Sequence, residues 1–182
     1  MKLPGTYTKG KYDSTSMAYK RWKAMMNRCY NPNFVFDDYQ DCSVCEEWMD
    51  FQTYAEWFYA NCPGDPSDFD VDKDLIVPNN HEYSPLTCVF LPHAVNILVK
   101  NDSGHNQYGC VGVTWDKEKK RYRVGFSANG KRIHGRRFKT PEEAGKEYKR
   151  LKKEKICEAA NLYRDVLSDV AYNALMNYEP KI

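Results

Sequence analysis

YGCVGVTWDKEKKRYRVGFSANGKRIHGRRFKTPEEAGKEYKRL, residues 108–151, combines hairpin chemistry, a helix start signal and a dense set of basic side chains. In RYRVGFS, Tyr122, Val124 and Phe126 alternate with Arg121, Arg123, Gly125 and Ser127, the two-residue period of a strand with one buried and one wet face. Asn129-Gly130 suits the positive φ angles of a type I′ turn, so residues 131–134 are expected to return antiparallel to 122–127. Residues 112–115 supply a third strand. Thr140-Pro141-Glu142-Glu143 then places Thr at an N-cap, Pro at the first helical position and Glu at N3, a reciprocal capping box. Ala144, Tyr148 and Leu151 recur at helical spacing, so the helix is expected to cover the apolar side of the sheet and leave the arginine side exposed.

The formal net charge of +2 hides an asymmetry. Residues 1–100 carry 9 Lys and Arg against 14 Asp and Glu, whereas residues 101–182 carry 18 against 11. An acidic first half and a basic second half point to a polyanion as the partner of the second. A Lys-rich helix alone would read as a solvated surface. Arginines at alternate strand positions say more, because the guanidinium offers planar bidentate donors to phosphate and guanine.

The residues GVTWDKEKKRYRVGFSANGKRIHGRRFKTPEEA resemble the apetala or ethylene-response-factor type of DNA-binding domain in the form found in phage and mobile-element proteins. That resemblance implies a three-stranded sheet entering the major groove of double-stranded DNA with a helix behind it. It implies base-reading roles for Trp115, Arg121, Arg123, Ser127, Arg132 and His134, and phosphate contacts from Lys117 and Lys119. Gly135-Arg136-Arg137 departs from the family's Leu-Gly pair, but Arg136 and Arg137 add to the same basic surface.

The first hundred residues read differently. Ala18, Trp22, Met25, Met26 and Cys29 form one apolar stripe on a helix beginning near Ser14-Thr15-Ser16 and ending at Asn31-Pro32-Asn33. Val44 and Trp48 flank a short extended segment. Asp50 can cap a second helix burying Phe51, Tyr54, Ala55 and Phe58, stopped by Pro63-Gly64-Asp65-Pro66. Two strands, 70–77 and 87–91, joined through Pro78-Asn79-Asn80-His81, precede a helix opened by Pro92 and running through Asn96. Residues 101–107 read as a linker, and 167–178 as a short terminal helix. No apolar run approaches the ~18 residues that span a bilayer and no signal-peptide core is present, so a cytoplasmic protein is expected, in the host cytoplasm if phage-encoded. Seven cysteines are then read as reduced thiols. Cys42 and Cys45 make a lone CxxC, for which Cys29, Cys62 and Cys88 are the available further ligands. One such pair is weak evidence for a structural Zn²⁺, which is not expected.

AYKRWKAMMNRCYNPN, VCEEWMDFQTYAEWF and VDKDLIVPNNHEYSPLTCVFLPHAVN resemble the phage and homing-type HNH endonucleases. The resemblance implies a ββα finger that cleaves phosphodiester bonds with one Mg²⁺ or another divalent cation, held by Asp72 and Asn96. At the general-base position stands Lys73, and the loop-holding Asn is replaced by Thr87. Flanking carboxylates Asp72 and Asp74 favour the charged form of Lys73, making it a poor base. His81 and His93 are the alternative bases. The expected architecture is therefore α+β: a helical plus ββα HNH-like domain over 1–100, a linker, a three-stranded antiparallel sheet packed on a helix over 108–160, and a tail over 161–182. Three functional readings follow: a metal-dependent DNA endonuclease, a catalytically degenerate DNA-binding or regulatory protein, and an acidic protein-interaction module acting on a host protein.

Overall fold

The structure, a computed structural model, describes residues 3–33, 41–100, 108–128 and 130–180. It is mixed α+β, with five α-helices and a three-stranded antiparallel sheet among the described residues. Chain contacts divide it into two units, Met1–Pro92 with Val166–Ala171, and His93–Asp165 with Tyr172–Ile182. The expected linker over 101–107 lies outside the described residues. No described helix is long and apolar enough to cross a membrane.

The first unit is built around aromatic side chains. Helix α1, Met17–Tyr30, starts where the Ser16 hydroxyl accepts the Tyr19 N–H at 3.2 Å, and it buries Ala18, Trp22, Met25 and Met26. Helix α2, Phe51–Asn61, is capped by Asp50, whose carboxylate accepts the Thr53 N–H at 2.9 Å. Its Phe51, Tyr54, Ala55 and Phe58 are buried as expected. Between the helices, Ser43–Val44 is extended (β1), but Glu46–Met49 closes into a 3-10 turn, so only part of the expected extended segment is extended. That turn puts Trp48 at the centre of the core, wholly buried, with Trp57 at 4.5 Å and Tyr54 at 5.1 Å between ring centroids. Trp22 Nε1 donates to the Trp48 carbonyl at 2.7 Å, satisfying both groups in the dry interior.

Three short strands complete this unit: β2 (Phe69–Asp72), β3 (Glu82–Tyr83) and β4 (Val89–Pro92). β2 pairs antiparallel with β4, and β1 pairs parallel with β3. The strand expected over 70–77 ends at Asp72. There the Asp72 Oδ1 accepts the N–H groups of Asp74 and Leu75 at 2.9 and 2.8 Å, and this side-chain turn competes successfully with the ladder. Pro92 is the last residue of β4, and the helix expected through Asn96 opens directly after it, at His93.

In the second unit, α3 (His93–Val99) packs against α4 (Pro141–Leu162). Strands β5 (Val113–Asp116), β6 (Arg121–Ala128) and β7 (Lys131–Phe138) lie in that order in one antiparallel sheet. The capping box at Thr140 is fully formed: Thr140 Oγ1 accepts the Glu143 N–H at 3.2 Å, and the Glu143 carboxylate accepts the Thr140 N–H at 3.4 Å. α4 lies on the apolar sheet face, with the Phe126 and Tyr148 rings edge to face at 5.5 Å. Gly112, at φ +70°, leaves room for Tyr148, since a Cβ there would come within 2.4 Å of its ring. β7 is longer than its expected 131–134. A final helix α5, Asp169–Met176, falls within the expected terminal segment. Of the Asn129-Gly130 turn, Asn129 lies outside the described residues; Gly130 has φ +71°.

Candidate nucleic-acid interface and finger site

Strand register sorts the basic side chains by face, because residues directly opposite one another project to the same side. Arg121 pairs with Asp116, Arg123 with Thr114 and Arg137, Ser127 with Arg132, and Gly125 with His134. The opposite side carries Trp115 against Tyr122 and Phe138, Val113 against Val124, and Phe126 against Ile133. Trp115, 37% exposed and 4.7 Å from the Tyr122 ring, is therefore on the α4 side of the sheet, away from the arginines.

The face is irregular between Arg123 and Gly125. From Arg123 to Gly125, β6 advances two residues, while β7 advances three, from Arg137 back to His134. The extra residue is a β-bulge at Gly135-Arg136. A Cβ on Gly135 would lie 2.9 Å from Val124 Cβ, so glycine lets the bulged strand sit close on β6, and Arg136 is exposed. The Arg132 guanidinium crosses over Gly125, where an added Cβ would sit 3.2 Å from its Nη2.

Several contacts hold these side chains extended. Arg123 Nε donates to Thr114 Oγ1 at 3.0 Å, and Arg137 pairs with Asp116 at 2.9 Å. Asp116 also accepts the Lys119 N–H at 3.1 Å, ordering the turn that presents Lys117 and Lys119; these bonds hold its carboxyl below the usual range. Arg121, Arg123, Lys131, Arg132 and Arg136 have no carboxylate within ion-pair distance among the described residues. α4 contrasts with this. Arg150 bridges Glu147 and Glu154, Lys155 pairs with Glu158, and buried Lys152 donates to the Tyr148 hydroxyl at 3.0 Å and the Lys100 carbonyl at 3.2 Å. The helix charges are largely neutralised locally, and the sheet charges are not.

The finger residues fall in different units: Asp72, Lys73 and His81 in the first, His93 and Asn96 in the second. Lys73 is 5% exposed. Its ammonium donates to the Asp74 carboxylate and, at 2.9 Å, to the Asn80 carbonyl, and it lies 5.6 Å from the Tyr83 ring centroid. These contacts tie the Asp74 and Asn80 ends of the loop together. Asp72 uses Oδ1 for its own turn, and burial pushes its pKa above the usual carboxylate value despite those two N–H donors. His81 and His93 are exposed, and Asn96 is buried in α3.

Asn80 was not singled out by sequence reasoning, yet it organises the loop. Its Nδ2 donates to the Lys73 carbonyl at 2.8 Å and the Glu82 carbonyl at 2.6 Å, and its Oδ1 accepts the Glu82 N–H at 3.1 Å. The Pro-Asn-Asn run was the available signal, since Asn side chains mimic backbone in turns. Thr87 donates to the Glu82 carbonyl at 2.8 Å and accepts the Ser84 N–H at 3.1 Å. Its one hydroxyl thus joins β3 to the turn that follows it.

A divalent cation fits these residues poorly. No group of three or more His, Cys, Asp or Glu side chains among the described residues is placed to hold a metal, and Asp72 Oδ1 is committed to two N–H donors. Cys42 and Cys45 likewise belong to no group of three or more such side chains among the described residues. Instead, Cys42 meets Cys29, with the two Sγ atoms 2.8 Å apart. Compared with models of protein families, with curated proteins and with solved structures, the chain matches none.

Proposed function

We propose that this chain binds duplex DNA through the exposed face of β5–β7, and that its finger-like segment serves as scaffold without cutting. The observation that carries the reading is the set of exposed Arg121, Arg123 and Arg132 side chains, which share one sheet face and have no carboxylate within ion-pair distance among the described residues. Residues two apart on a strand repeat every ~6.6–6.8 Å, about two base-pair rises of ~3.4 Å, so Arg121 and Arg123 can address base pairs two apart in one groove. Each bidentate arginine–guanine pair would contribute about 1–3 kcal/mol of discrimination, and phosphate contacts the sequence-independent remainder. The resemblance of residues 112–144 to apetala-type domains points the same way.

The scaffold reading rests on Lys73, held as an ammonium donor at the family's general-base position, and on Asp72, whose carboxylate closes a turn. A positioned general base is worth about 10²- to 10⁴-fold in rate, so its loss alone would leave cleavage very slow. Fluorescence anisotropy of the full chain with a labelled duplex tests binding. Plasmid nicking in Mg²⁺ or Mn²⁺, with Asp72→Ala as control, tests the second half. Salt-sensitive binding without nicking is the expected outcome; metal-dependent nicking lost in Asp72→Ala would restore the nuclease reading.

A further inference from the structure

CxxC spacing suggests Cys42 and Cys45 as a working pair, but the structure couples Cys42 to Cys29. Cys29 sits in the last turn of α1 and Cys42 immediately precedes β1. Two hydrogen bonds fix these elements on either side of the thiols. The Val44 N–H donates to the Tyr30 hydroxyl at 3.0 Å, and Arg28 Nη1 donates to the hydroxyl of Tyr83, which pairs with Val44 across β1 and β3, at 3.4 Å. Cys45, by contrast, faces a surface pocket lined by Glu46, Glu47, Glu82, Ser84 and Leu86.

The Sγ–Sγ separation of 2.8 Å decides what this pair suits. Two thiolates on one tetrahedral zinc, each ~2.3 Å from the metal, stand about 3.8 Å apart. Here they are closer than that, and no further His, Cys, Asp or Glu joins them to complete a metal set among the described residues. Closing to a disulfide bond of ~2.0 Å asks for a shift of under an ångström, available from side-chain rotation. Cys29 is half-buried and gives a reagent access; Cys42 is buried behind it.

We propose that Cys29 and Cys42 are a redox-sensitive dithiol that closes to a disulfide by exchange with a small disulfide of the glutathione class, tying the end of α1 to β1. One thiolate of the pair attacks a sulfur of the reagent, forming a mixed disulfide and expelling one thiolate leaving group. The second cysteine, deprotonated, displaces the remaining reagent thiolate. Two protein thiols are oxidised, one reagent disulfide is reduced to two thiols, and the protons end on the released thiols. The covalent staple closes the chain between residues 29 and 42. It restricts the unfolded ensemble more than the folded one, where the ends already touch.

The full chain, fully reduced, is equilibrated with oxidised glutathione, alkylated and peptide-mapped. The expected result is a Cys29–Cys42 cross-link, two of the seven thiols lost per chain and a mass lower by two hydrogens. The melting temperature of the first unit should rise by roughly 12–24 °C, reversed by dithiothreitol, for a loop of this length. Cys29→Ser should abolish the shift and Cys45→Ser should leave it. If Cys42→Ser or Cys29→Ser does not fold, the wild-type peptide map decides alone. A Cys42–Cys45 link, a glutathione adduct that does not resolve, or seven unchanged thiols would overturn the proposal. None of these readouts depends on DNA binding.

Discussion

Replacing Arg121 and Arg123 with alanine should weaken DNA binding and flatten its salt dependence without harming the fold. Arg121, Arg123 and Arg132 are the exposed cations on one face of β6 and β7 that lack a carboxylate within ion-pair distance among the described residues. If each neutralises one phosphate at about −0.9 per contact, log affinity falls with log salt at a slope near −2.7. A fourfold rise in salt then costs about 40-fold in affinity. The double variant removes two contacts and should shift the slope by about 1.8 toward zero. If both arginines also read bases, a further 2–6 kcal/mol of preference is lost on a cognate site. The fold should survive, because Arg121 bonds only the neighbouring Lys120 carbonyl and Arg123 an exposed Thr114 hydroxyl. Anisotropy titrations of a labelled 20–25 bp duplex across 50–200 mM KCl, with a melting curve for each variant, measure all of this. Salt-independent binding by the wild type, or an unchanged slope in a folded double variant, would refute the assignment.

Phe126→Ala should act on stability alone: the ring packs on Tyr148, and its removal should cost about 3–5 kcal/mol in urea unfolding of the second unit. An unmoved transition would mean that α4 does not cover this face. Asn80→Ala strips donors from the Lys73 and Glu82 carbonyls and should cost about 1–3 kcal/mol, read as an earlier unfolding midpoint of the first unit. Asp72→Asn keeps the acceptor for the two backbone N–H groups but removes a carboxylate whose pKa burial has raised. A raised folded-state pKa stabilises below the unfolded value and loses that contribution as pH rises through the folded value. The asparagine variant should therefore gain melting temperature relative to wild type at pH 7 and lose that advantage near pH 3; a gain that did not change with pH would contradict it.

The caps and stripes of α1, α2 and α4 were legible in the sequence because each depends on contacts no more than four residues apart: Ser16 with Tyr19, Asp50 with Thr53, Thr140 with Glu143. The sheet was legible for a similar reason, since strand alternation separates Arg121 and Arg123 from Tyr122 and Phe126 before any tertiary contact is known. Where long-range pairing decides, local reading stops short. The bulge at Gly135-Arg136 exists only in the register of β7 against β6, and the placing of Trp115 opposite the arginines follows from its pairing with Tyr122. The end of β2 at Asp72 is a competition between a side-chain turn and a ladder to β4, twenty residues away in sequence. The finger loop shows the limit most clearly: Lys73, Asn80, Glu82 and Thr87 look like separate polar residues in the chain, yet hydrogen bonds converge them on one another and leave Lys73 almost wholly buried. Cys29 found Cys42, not a CxxC neighbour, because the docking of α1 on β1 sets thiol distance, and sequence spacing does not.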